Sequence, residues 1–271
     1  EGRYFHYNLP GSAQDKRWWK GEPIWVTAIK QGKKAASAYW IGSEAEIAGV
    51  RPTFWRAYDP KVTFETRFNE LARWLRLPTG ERPAVITFYL EETNSIGHKF
   101  GPDSPELTAA IELQDGRIGA LVDLFKSDGI PANFVIVSDH GMTPISTHRV
   151  MLLDDLIDPA SVQLDFFGPA AGLRPINGDT AALMNALRPL THATAYRRED
   201  LPSHFHISSN PRNPPVWIVP DEGWEVYFRS YFNLYRDKFN RGDHGDDPAL
   251  PSMHGIFISS GPSFRQGVVT G

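Results

Sequence analysis

The apolar run Phe134-Val-Ile-Val137 stops at Ser138 and gives way at once to Asp139-His140-Gly141. A short, β-branched run of this kind predicts a strand covered on both faces. In open α/β sheets, the residues just past the carboxyl ends of strands are where side chains converge on a ligand. A carboxylate beside an imidazole suits zinc or a similar divalent ion, and Gly141 would let the chain turn away tightly. Taken alone, the tripeptide also suits an Asp and a His that cap the following loop.

The same alternation of apolar and polar positions organises the rest of the chain. The opening, to Gly21, has no sustained period and reads as an irregular covering segment. Pro23, placed as a first helical residue, and the apolar spacing from Ile24 to Ile29 predict a helix stopped at Gly32, followed by a strand within 33–40. Thr63 caps a predicted helix whose face carries Phe64, Phe68, Leu71 and Leu75. A second strand over 84–90 ends in the polar cluster 91–98, and Ser104-Pro105 open a long helix with Ile111, Leu113, Ile118, Leu121, Val122 and Phe125 inside and Gly129 after it. Strand, helix, strand in that order predicts a parallel pair joined by a right-handed crossover, so the fold class is α/β. Further on, the pattern suggests strands at 180–184, 216–219 and 256–258 and a short helix at 186–190. His204 and His206 alternate about Phe205, as on one face of an extended segment, and read as structural.

Composition narrows the classes. The chain of 271 residues is long enough to bury a core, and its net charge of -4 offers no polybasic stripe for a nucleic-acid duplex. With no cysteine, a metal would be held by histidine, carboxylate, amide or water. No apolar run reaches the roughly 20 residues that a membrane span needs.

Three clusters share a design: Asn94 with His98 after one strand, Asp139 with His140 after another, and His244 within Arg241-Gly-Asp-His-Gly-Asp-Asp247. Together they could surround two ions, as a paired-metal centre for phosphoryl displacement requires. At this point the chain resembles the nucleotide pyrophosphatase/phosphodiesterase family of the alkaline phosphatase superfamily. The resemblance is carried by Trp18-Trp-Lys-Gly-Glu-Pro-Ile-Trp25, Trp40-Ile-Gly-Ser-Glu44, Tyr89-Leu-Glu-Glu92, Gly97-His-Lys-Phe-Gly-Pro102, Ser138-Asp-His-Gly-Met142, His244-Gly and Met253-His-Gly-Ile-Phe-Ile258 with Gly261-Pro262.

That resemblance implies one alkaline-phosphatase-like catalytic domain, with a mostly parallel sheet, helices on both faces and two zinc ions at the carboxyl edge. It implies hydrolysis of phosphodiester or pyrophosphate bonds in nucleotides through a phospho-threonine, in the periplasm or outside the cell. Asp139 and His140 match ligands of one zinc; Asn94, His98 and His244 match ligands of the other; Tyr89 matches a position that stacks on the nucleobase. Asn94 stands where the family usually has Asp, and Glu91 or Glu92 is a candidate to make good the missing charge. Nothing before Trp18 matches the family's first strand, its first aspartate ligand or its nucleophilic threonine, and Thr143 is not at the nucleophile's position. The expectation is therefore a fragment lacking the nucleophile region and the C-terminal end, with an uncovered sheet edge that favours self-association. Two alternatives stay open: a catalytically silent metal- or nucleotide-binding protein, and a phosphonate or sulfate-ester hydrolase of the same superfamily.

Overall fold

Four buried residues of a short strand, Ala35–Ala38 (β1), carry the first of two compact units in the computed structural model, which describes residues 5–6, 9–207 and 210–269. The helix before β1 runs Ile24–Lys30 (α1), with Pro23 at the cap and not inside the helix. Phe54–Arg56 (β2) and Val85–Phe88 (β3) both ladder to β1 in parallel, giving the order β2-β1-β3. The helix Phe64–Leu75 (α2) begins as expected, with Thr63 Oγ1 accepting from the Thr66 N–H at 3.3 Å. Its Leu71, Trp74 and Leu75 pack with Ala36, Ala38 and Tyr39 of β1 and its carboxyl end.

One side chain of α2 faces inward although it is charged. Arg67 is 3% exposed and uses every donor it has. Its Nε donates to the Val62 carbonyl (3.2 Å), one terminal nitrogen to the Tyr89 carbonyl (3.0 Å) and Glu91 Oε2 (2.7 Å), and the other to the Asp59 carbonyl (3.3 Å) and Glu91 Oε1 (2.8 Å). Its guanidinium carbon also sits 4.8 Å from the centre of the Tyr39 ring. A buried cation is tolerable only when paired and saturated in this way.

The second unit comprises residues 92–115 and 133 onward. It contains the helix Glu92–Phe100 (α3) and the first part of the helix Pro105–Ser127 (α4), whose later residues, with Leu121, Leu124 and Phe125, pack in the first unit. Ser104 caps α4 as expected. Ile111 and Leu113, expected inside, are 54% and 50% exposed, whereas Leu124 is buried. The long helix thus turns its apolar stripe inward only over its second half.

Phe134–Val137 forms the anticipated strand (β4), but not a doubly covered one: Val135 and Val137 are 52% and 50% exposed. Among the described residues β4 ladders to Phe257–Ser260 (β13), antiparallel, and β3 ladders to β1. The parallel β3 and β4 pair predicted from the strand–helix–strand order is therefore corrected. Phe257 and Ile258 of β13, and Ile256 just before it, are likewise exposed, and the strand begins one residue later than expected.

The main core of this unit lies elsewhere. Val162–Phe166 (β7), Ala171–Pro175 (β8), Ala193–Arg197 (β9) and Val216–Pro220 (β10) form an antiparallel sheet in the order β7-β8-β10-β9. Ala171, Leu173, Val216 and Ile218 of this sheet are wholly buried, and Leu187, just after the following helix, packs with them. The expected strand at 180–184 is a helix, Thr180–Ala186 (α5), because Asp179 caps it by accepting the Ala182 N–H at 2.9 Å. His204 lies in a single helical turn and pairs with Asp247 at 2.8 Å, while His206 turns left-handed (φ 55°), so the shared extended face is not formed. The fold is α/β, with parallel ladders also between Val150–Leu152 (β6) and Glu225–Tyr227 (β11), but no single large parallel sheet is seen among the described residues.

Two predictions come from these buried charges. Arg67→Met should cost roughly 3–5 kcal/mol in urea unfolding, because it leaves the Glu91 carboxylate without its cation; a loss below about 1 kcal/mol would mean that the pair contributes little. Glu225 on β11 is fully buried, and burial first, then Asp243 and Asp246, push its carboxyl pKa from 4.5 up to about 9. The folded state keeps a proton that the unfolded chain releases, so this contribution to stability is full below pH 4.5 and is lost as pH rises towards about 9. Glu225→Gln should remove a slope of about 1.4 kcal/mol per pH unit across that window. Unfolding measured at several pH values would show an unchanged slope if Glu225 were ionised.

Candidate metal centre

The polar stretch after β3 is helical, and this decides where its side chains go. On α3, Asn94 and His98 are one turn apart and share a face. His98 is then tied to a segment far along the chain. Its Nδ1 lies 2.9 Å from the Gly242 carbonyl, and its own carbonyl accepts the Arg241 N–H at 2.8 Å. Donation from Nδ1 to that carbonyl leaves Nε2 with its lone pair free, the arrangement usual for a metal-ligating imidazole.

The Asp-His-Gly tripeptide occurs twice, at 139–141 and at 243–245, and one short ladder joins the two neighbourhoods. Gly242–Asp243 (β12) pairs antiparallel with Thr143–Pro144 (β5), matching Gly242 to Pro144 and Asp243 to Thr143. The junction is too tight for side chains at two points. A Cβ on Gly242 would lie 2.6 Å from the Gly97 carbonyl oxygen and 2.8 Å from Met142 Sδ. Gly141 likewise serves close approach, since a Cβ there would collide with the Ser252 carbonyl; the anticipated turn is not the reason for it.

Three imidazoles meet at this place. The His140 and His244 rings stack with centroids 3.4 Å apart, and the His244 and His98 centroids are 5.0 Å apart. His98, His244 and Asp243 each offer a ligand atom, all within 4.8 Å of one another. Asp243 Oδ1 lies 3.6 Å from His98 Nδ1 and accepts the His244 N–H at 2.8 Å. Burial, and after it the neighbouring imidazoles of His140 and His98, push the His244 pKa down to about 4, so this ring is neutral at pH 7 and able to bind a metal. Burial raises the Asp243 pKa.

The other anticipated residues take distinct places. His140 Nδ1 lies 2.7 Å from the Gly141 carbonyl and its Nε2 3.5 Å from Asp139 Oδ1, while the Asp139 side chain is 83% exposed. Among the described residues, this pair joins no three-ligand set of its own. The Asn94 amide oxygen is buried without a hydrogen-bond partner. An orphaned buried acceptor one helical turn from His98 fits a divalent cation. Tyr89, in the first unit, is half-buried and packs edge-on against Trp40 and Tyr58, at 6.3 and 5.9 Å between centroids. Thr143 is fully buried, so it is not a nucleophile. Asp243 and Tyr58 were not foreseen as site residues; the repeated Asp-His-Gly tripeptide was the signal for the first.

A family model described as type I phosphodiesterase / nucleotide pyrophosphatase matches residues 2–247. A venom phosphodiesterase of Macrovipera lebetinus is 36% identical over 92% of this chain and 30% of its own length. An uncharacterized pyrophosphatase/phosphodiesterase of Schizosaccharomyces pombe is 33% identical over 97% of this chain and 57% of its own. The chain thus spans between about a third and somewhat over half of these relatives. Murine ectonucleotide pyrophosphatase / phosphodiesterase 5 superposes with a TM-score of 0.87 at 32% identity, covering 94% of this chain and 67% of that one. Its inactive variant in complex with AMP superposes at 0.86. With paired Asp-His-Gly segments gathered around a cluster of imidazoles, and likeness running along nearly the whole chain, the protein belongs to the type I phosphodiesterase / nucleotide pyrophosphatase family.

Proposed function

We propose that this chain is the metal-binding part of an enzyme that hydrolyses phosphodiester or pyrophosphate bonds in nucleotides. The observation that carries the reading is the convergence of His98, His140 and His244 with Asp243 on one junction of the chain. In this reading His98, His244 and the oxygen of Asn94 hold one zinc ion, and Asp139 and His140 serve a second. When bound, the ions supply charge that stabilises the phosphoryl oxygens and lowers the pKa of an attacking hydroxyl or water. The chain's own residues orient and neutralise: Gly242 fixes the His98 tautomer through its carbonyl, and the half-buried His244 ring stays unprotonated. In this reading a threonine hydroxyl not among the residues named here attacks phosphorus and expels the leaving alcohol or phosphate, and water then cleaves the phospho-threonine to release the remaining phosphate product and restore the hydroxyl.

Tyr89 in this reading offers its ring to the nucleobase. Trp40 and Tyr58 hold that ring edge-on, which fixes its plane before substrate arrives. AMP bound to the inactive murine relative supports a nucleotide over a phosphonate or sulfate ester. The names of the relatives, venom and ectonucleotide enzymes, support export to the periplasm or outside the cell. No helix among the described residues is long and apolar enough to cross a membrane.

Two measurements test the proposal. Exhaustive chelation of the complete protein should abolish release of nitrophenol from a nucleotide nitrophenyl ester, and zinc should restore it; turnover that survives chelation sinks the mechanism, and metal binding without turnover would make the protein a silent binder. Tyr89→Ala should raise KM for that ester by about tenfold, the worth of one base–aromatic stack, and leave KM for bis-nitrophenyl phosphate unchanged. An equal change for both substrates would assign Tyr89 to packing alone.

A further inference from the structure

A neutral amide at position 94 leaves the His98 ion short of negative charge, and the structure offers only certain carboxylates to make it good. Glu91 is committed, both oxygens held by Arg67 at 2.7 and 2.8 Å. Glu92 accepts from Gln114 at 2.6 Å. The two candidates adjacent in sequence are thus engaged elsewhere.

Asp243 is placed differently. It comes from 149 residues beyond position 94 in the numbering, yet the β5 and β12 ladder and the His98 bond to Gly242 bring it to the same imidazoles. Its carboxylate is 18% exposed and offers an oxygen within 4.8 Å of a ligand atom on each of His98 and His244. The His244 N–H holds Oδ1 at 2.8 Å and so sets the rotamer, leaving Oδ2 unconstrained by that bond. One turn before His98 on α3, Asn94 Oδ1 is buried and has no partner, as a second, uncharged oxygen donor would be before a cation is bound.

We propose that Asp243 supplies to the ion held by His98 and His244 the charged oxygen that Asn94 withholds, so that the carboxylate of this site has moved from α3 to β12. The set becomes two imidazoles and one carboxylate, ligand types that zinc accepts, with the Asn94 amide oxygen as a weaker fourth donor. This rests on the reading of the centre as a phosphodiesterase metal site, but it concerns binding and is tested by binding.

The experiment is competition of the purified complete protein against a chromophoric chelator for zinc, with cobalt(II) absorption as a second readout. It compares the natural chain with Asp243→Asn, Asn94→Asp and the double variant, each checked for folding by its thermal transition. Asp243→Asn should weaken one ion by roughly 10–100-fold, and adding Asn94→Asp should recover most of that loss together with the cobalt band. Asn94→Asp alone should tighten binding by less than about tenfold, because a charge is already present; this arm stands even if Asp243→Asn fails to fold. Unchanged affinity in Asp243→Asn, no recovery in the double variant, or a gain near 100-fold from Asn94→Asp alone would overturn the assignment. A natural chain that binds its ions as described yet leaves the nucleotide ester intact would count against the proposed function and not against Asp243.

Discussion

The candidate site depends on a two-residue ladder. Gly242 and Asp243 pair with Pro144 and Thr143, and the carbonyl of Gly242 holds the imidazole of His98. Neither strand is long enough to be stable by itself. Their pairing survives because the segments around them are closely interlocked, with backbone of one lying where another would need a Cβ. Three stretches separated by tens of residues are thereby held in a fixed relation, and any charge or ion among them meets a preorganised cluster.

A second constraint acts in the first unit. Arg67 joins the loop around Asp59, the start of α2 and the end of β3, and its guanidinium covers Tyr39, a non-glycine residue with φ of 59°. The aromatic cluster of Tyr89, Trp40 and Tyr58 stands on segments that this one cation ties down. The same buried charge thus anchors the backbone at both Asp59 and Tyr89, on either side of this ring cluster.

How much of this could be read beforehand follows from the range of the forces involved. Local signals were legible: the Thr63 and Ser104 caps and the strands expected at 84–90, 134–137 and 216–219, seen at 85–88, 134–137 and 216–220, while His98, His140 and His244 stood out as candidates. Partnership was not. β4 has the composition of a covered strand, but its exposure is set by what ladders beside it, and α5 became a helix through one cap at Asp179 against an apolar run that suited either state. Asp243 was visible as a residue in an acidic cluster, yet its place beside His98 depends on a pairing across about a hundred residues that no local pattern encodes. The family resemblance supplied the general site; only the coordinates separate Glu91 and Glu92, already engaged, from Asp243.

The tight junction has a chemical consequence. In a chain without cysteine, the most oxidisable atom near the cluster is the sulfur of Met142, which is only partly buried and fills the space that Gly97 and Gly242 leave open. A sulfoxide adds a polar oxygen to that sulfur where a single carbon on either glycine would already lie at 2.5 to 2.8 Å. A sulfoxide oxygen there would have to be accommodated at the contact between α3 and β12. The absence of thiols does not make this centre indifferent to redox conditions; it moves the vulnerability to a thioether.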